Sequence, residues 1–136
     1  MSQPIYSILQ LGLLAFFGGP FAAIYSLKKN FDVLENEKAS MIMIICGALC
    51  ALIFPIIVLY WPDTVPKIVI PAVFTLVSCS VAFIYQFKNW DKGDYLSKGI
   101  KNMVLVVLGS WTLAFTCFFL SFLALHLMGV DIGQSK

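Results

Sequence analysis

Gly18-Gly19-Pro20-Phe21-Ala22-Ala23-Ile24-Tyr25-Ser26-Leu27-Lys28-Lys29-Asn30-Phe31-Asp32 is the stretch on which the fold turns. Two glycines and a proline sit inside an apolar run. They remove side-chain bulk and one backbone donor, so another helix can come close and this one can bend. Pro20 frees the carbonyl of Phe16, and the bend is expected there. Beyond Tyr25 the run ends at Lys28 and Lys29, a basic and aromatic border that marks one face of a membrane.

On either side of this stretch the chain is apolar. Of its 136 residues, 60% are hydrophobic and 12% are charged, with a mean hydropathy of +0.92. Soluble domains carry roughly 25% charged residues, so this chain cannot cover a water-facing surface. Four runs lack Asp, Glu, Lys and Arg: Ile5–Leu27, Met41–Tyr60, Ile68–Phe87 and Met103–Met128. Each reaches the roughly 20 helical residues needed to cross a hydrocarbon core of about 30 Å. The expected fold is all-α: one polytopic membrane domain over residues 1–136, with helices near 5–27, 41–60, 68–87 and 103–128. The first run has no lysine before it, so it reads as a retained helix rather than a cleaved signal peptide.

Lysines set the orientation. Lys28, Lys29 and Lys38 follow run one; Lys88, Lys92, Lys98 and Lys101 separate runs three and four. Only Lys67 and Lys136 lie on the other side. The excess of positive charge places loops 28–40 and 88–102 in the cytoplasm and both termini outside. The short turn Trp61-Pro62-Asp63-Thr64-Val65-Pro66-Lys67 forces runs two and three into an antiparallel hairpin, giving two hairpins in all. Tyr25, Tyr60, Trp61, Tyr85 and Trp90 fit interfacial belts.

Small residues recur at helical spacing, and membrane helices associate through such faces. The candidate packing positions are Gly12, Ala15, Gly18, Gly19, Pro20, Ala23, Gly47 and Gly109. Cys46, Cys50, Cys79 and Cys117 all lie in apolar runs without His or acidic neighbours, a poor zinc pattern, and read as small packing residues. The segment from Ala23 to Asp32 is echoed by Phe83-Ile84-Tyr85-Gln86-Phe87-Lys88-Asn89-Trp90-Asp91, which suggests a duplicated hairpin or two similar helix exits. The stretch Phe16–Asp32 resembles the first segment of small four-helix bacterial membrane proteins of unknown function. That resemblance implies a bacterial inner membrane build and assigns no activity.

Chemistry is sparse. No charged side chain lies inside a run, which counts against a proton-coupled exchanger. His126 stands alone near the outer end of run four, with Asp131 as its nearest acidic partner in sequence. No GxSxG, HExxH or phosphate-loop pattern occurs. No catalytic residue, cofactor or metal is expected, and nothing points to nucleic acid. Asn30, Asn89, Trp90 and Asp91 are the candidate partner contacts on the cytoplasmic rim. The expected function is that of a non-enzymatic accessory or immunity-type protein. It would bind the lipid bilayer and another membrane protein, or form a homo-oligomer. The alternative is an oligomeric pore, facilitator or holin-like protein, with Thr75, Ser78, Gly109, Thr112 and Thr116 lining its path.

Overall fold

The computed structural model describes residues 4–62, 64–87 and 98–128. Four α-helices follow one another: α1 (Ile8–Val33), α2 (Glu37–Leu59), α3 (Val69–Ala82) and α4 (Ile100–Leu127). A π-helical turn, Phe83–Phe87, continues α3. By length and composition, α1, α2 and α4 are long and apolar enough to cross a membrane.

α1 starts with a reciprocal cap. Ser7 Oγ accepts the Gln10 N–H at 3.3 Å, and Gln10 Oε1 accepts the Ser7 N–H at 3.0 Å. The helix then runs to Gly18 and breaks. Gly19 has φ 69° and ψ −161°, a conformation that is essentially restricted to glycine. Pro20 opens the second half, where a missing N–H costs nothing and a fixed φ suits a first helical turn.

The break reverses the chain. The Tyr6 N–H donates to Asn30 Oδ1 at 2.8 Å, and Asn30 Nδ2 donates to the Tyr6 carbonyl at 2.7 Å. A straight helix would hold these residues about 36 Å apart. The two halves of α1 are therefore arms of a helical hairpin, about 16 Å and 21 Å long, with Gly18-Gly19-Pro20 at the tip. Each arm alone is shorter than a hydrocarbon core of about 30 Å. The expected single crossing by residues 5–27 does not describe this geometry. Gly19 leaves the helical basin altogether, so the chain turns back where the sequence suggested a bend.

The hairpin is the centre of the molecule. In α1, 44% of the apolar window is buried, against 6% in α2 and 6% in α4. Leu11, Leu14, Ala22, Leu27 and Phe31 close on one another with Tyr6, and Ala82 of α3 joins them. α1 contacts all three other helices, and α2 also contacts α4. α2 and α3 are linked by a short turn, yet α3 packs on α1 and not on α2. Among the described residues, their rings meet at Phe54 and Phe74, edge to face at 6.2 Å between centroids. α3 thus finds its main partner in α1 rather than in the helix before it.

One end of the bundle gathers several chain segments. The Lys98 N–H donates to the Ile5 carbonyl at 3.1 Å, and Gln10 Nε2 donates to the Lys98 carbonyl at 2.7 Å. Ser40 Oγ donates to Asp32. The amino-terminal segment, the α1–α2 turn and the start of α4 therefore share an end. This differs from the expectation that the amino terminus lies opposite the two lysine-bearing loops.

Close approach of the arms depends on Gly18. A Cβ there would lie 2.4 Å from the Ala22 Cβ and 3.0 Å from Ser110 Oγ. Gly18→Ala is expected to cost about 1–3 kcal/mol through overpacking, read as a lower thermal midpoint in detergent micelles.

Candidate functional site: the tip of the folded helix

A broken helix leaves carbonyls without partners, and lipid offers none. Here α4 supplies them. Trp111 Nε1–H donates to the Phe17 carbonyl at 2.7 Å. The Ser110 hydroxyl lies 2.8 Å from the Gly18 carbonyl and 2.9 Å from the Val107 carbonyl of its own helix. One hydroxyl proton thus serves both the tip and the α4 backbone.

Around this junction the lining is aromatic. A cavity of about 210 Å³ is bounded by Phe16, Phe17, Phe21, Phe54, Phe74 and Trp111, among others. Phe21 and Phe54 meet edge to face at 6.2 Å. No titratable side chain lines the cavity. The tip can receive an apolar group and can hold the hairpin in place.

The sequence-derived packing positions take different places. Gly18 and Pro20 form the buried part of the tip, with Gly19 between them half-buried. Ala15 and Ala23 are fully buried within α1. Gly12 faces α3, where a Cβ would lie 3.2 Å from Cys79 Sγ. Gly47 of α2 faces Ile24, with 3.5 Å to a built Cβ. Gly109 packs on nothing: no atom lies within 4 Å of a built Cβ. It leaves an opening between α4 and the second arm of α1.

Asn30 is not on the rim. It is 0% exposed and clamps the Tyr6 backbone, because the fold-back of α1 carries residue 6 over it. Asn89, Trp90 and Asp91 lie outside the described residues, as do Asp63 and Asp131. His126 is exposed near the end of α4. The four cysteines are half-buried free thiols. Thr75, Thr112 and Thr116 each donate to the carbonyl four residues earlier in their own helix, at 2.8, 2.9 and 2.8 Å. Hydroxyls used in this way offer only lone pairs to a passing solute.

Sequence reasoning passed over Trp111, Gln10 and Tyr6. Trp111 did leave a signal, since it lies in the middle of run four, away from the interfaces where membrane tryptophans usually sit. Trp111→Phe keeps most of the ring and removes the donor. It is expected to cost about 1–3 kcal/mol, because the Phe17 carbonyl is left unpaired in apolar surroundings. Thermal unfolding of the purified variant would report it.

Comparison with family models, with curated proteins and with solved structures returned no match.

Proposed function

We propose that the chain is a multi-pass protein of a bacterial inner membrane that acts by binding, as an accessory or immunity-type protein without a catalytic site of its own. Its partner is another membrane protein or a further copy of the chain. On this reading the lysine-bearing end faces the cytoplasm. The amino-terminal segment joins loops 28–40 and 88–102 on that side. α2, then α3 with its π turn, then α4 cross in succession, and α1 enters and leaves by the same face. The carboxyl terminus is then the outer one.

The observation that carries the binding role is the outer part of α4. The helix continues about 24 Å past Trp111, beyond the reach of the α1 tip. Phe115 is 73% exposed and Phe119 65%, and Leu120, Phe122 and Leu123 are exposed beside them. Phe54, Pro55 and Val58 of α2 line, with Trp111, Ala114, Phe115 and Phe118, an apolar groove of about 470 Å³ along this stretch. A long apolar helix with so exposed a face suits a surface that receives another transmembrane helix.

A photo-crosslinking residue at Phe119 or Leu123 tests this in native membranes. Discrete adducts of defined mass are expected there and not at buried Leu14. Absence of adducts, with a solitary monomer in lipid nanodiscs, would overturn the reading. Solute leak through reconstituted vesicles would favour the oligomeric pore instead.

A further inference from the structure

A second opening shares Phe21 with the aromatic cavity. Between the second arm of α1 and α4 runs a lateral groove of about 350 Å³. Phe21, Tyr25, Val106, Gly109 and Leu113 line it, with Ser110 at its inner end. The groove exists because Gly109 carries no side chain and nothing occupies the space above it.

Tyr25 connects this groove to the lysine-bearing end of the bundle. Lys29 Nζ lies 5.9 Å from the Tyr25 ring centroid. Lys98 Nζ lies over the neighbouring ring of Tyr6, at 4.3 Å from its centroid. Burial, and then the charge of Lys29, hold the Lys98 ammonium below the usual lysine value. The nearby carboxylate, Asp32, is taken up by Lys28 at 2.6 Å and by Ser40. Among the described residues, no carboxylate forms an ion pair with Lys29 or Lys98. Each ammonium thus rests on an aromatic face, and the Tyr25 ring under Lys29 also lines the apolar slot.

From this arrangement we infer that the groove binds one anionic phospholipid, with its phosphodiester between Lys29 and Lys98 and an acyl chain along Phe21, Val106, Gly109 and Leu113. The chemistry matches at both ends. A phosphodiester adds negative charge beside two cations that, among the described residues, form no ion pair, and basic sites between membrane helices on the cytoplasmic side suit such headgroups. The acyl chain fills a slot whose walls carry no charge. The orientation follows from the membrane placement proposed above, on which this inference rests.

The full-length chain, purified into nanodiscs of phosphatidylcholine alone or mixed with phosphatidylglycerol, provides the test. Native mass spectrometry after release is expected to find one phosphatidylglycerol retained per chain, in preference to phosphatidylcholine. The double variant Lys29→Gln/Lys98→Gln should lose that preference by roughly thirtyfold. Gly109→Leu, whose Cβ meets no atom within 4 Å, projects its side chain into the slot and should expel the lipid while leaving the thermal midpoint in detergent unchanged. Equal retention of the two lipids, or an undiminished preference in the double variant, would overturn the inference. Displacement of the lipid by inorganic phosphate would overturn the role of the groove. Failure of the membrane reading itself looks different: the chain would stay monodisperse without detergent and enter no nanodisc.

Discussion

Asn30→Leu is expected to destabilise the protein by about 2–5 kcal/mol, although leucine keeps the branched shape of asparagine. The substitution strands a buried donor and a buried acceptor, the N–H and the carbonyl of Tyr6. Each unsatisfied group costs about 1–3 kcal/mol, and no water reaches a 0% exposed position to replace the amide. The effect should be local before it is global. Hydrogen exchange should accelerate first at Tyr6, and the amino-terminal segment should become accessible to protease while α2 and α4 remain protected. An unchanged midpoint and an unchanged Tyr6 exchange rate would show that the clamp does not hold the hairpin closed.

The second large effect is at the tip. Gly19→Ala meets no steric neighbour, since nothing lies within 4 Å of a built Cβ. Its cost is conformational: φ 69° with ψ −161° is a region that alanine avoids by about 1–3 kcal/mol. The relaxed alternative is a continuous helix. Adding Pro20→Ala restores the missing backbone donor and removes the ring clash, which is worth about 3 kcal/mol in a helix interior. In the double variant, 26 residues of unbroken helix would extend about 39 Å, enough to cross. A reporter at the amino terminus is then expected to appear on the far side of the membrane in a substantial fraction of molecules, whereas in the parent it stays with the lysine-bearing loops. Gly19→Ala and Gly18→Ala separate two mechanisms at neighbouring positions, strain in one and overlap with Ala22 in the other.

Much of the architecture could be read from the chain. The all-helical, membrane-type build follows from four uncharged runs, and α2 and α4 fall within a few residues of their expected places. The direction of α1 could not be read in the same way. Hydropathy counts apolar residues and is blind to reversal: two half-length arms and one full-length span have the same composition. Gly18-Gly19-Pro20 was visible as a weak point. What converts a bend into a reversal is the pairing of Tyr6 with Asn30 and of the tip with Ser110 and Trp111, and those contacts are tertiary. Asn30 was misplaced for a related reason. Its neighbours Lys28 and Asp32 form an exposed ion pair, so the local pattern suggested a solvated rim. Gly109 fits a small-residue stripe by spacing alone, and spacing does not say whether a helix arrives opposite it.

The repair of the break at Gly19 sets an order of events during synthesis. The residues that satisfy the tip carbonyls, Ser110 and Trp111, lie 92 and 94 positions further along the chain. When the first hydrophobic segment emerges from the ribosome, those donors have not yet been made. The segment must wait with open carbonyls, at the insertion machinery or in the headgroup region, while two more helices are laid down. Completion of the earliest element is thus tied to delivery of the last, and a nascent chain stalled before α4 would expose an unfinished tip to membrane quality control.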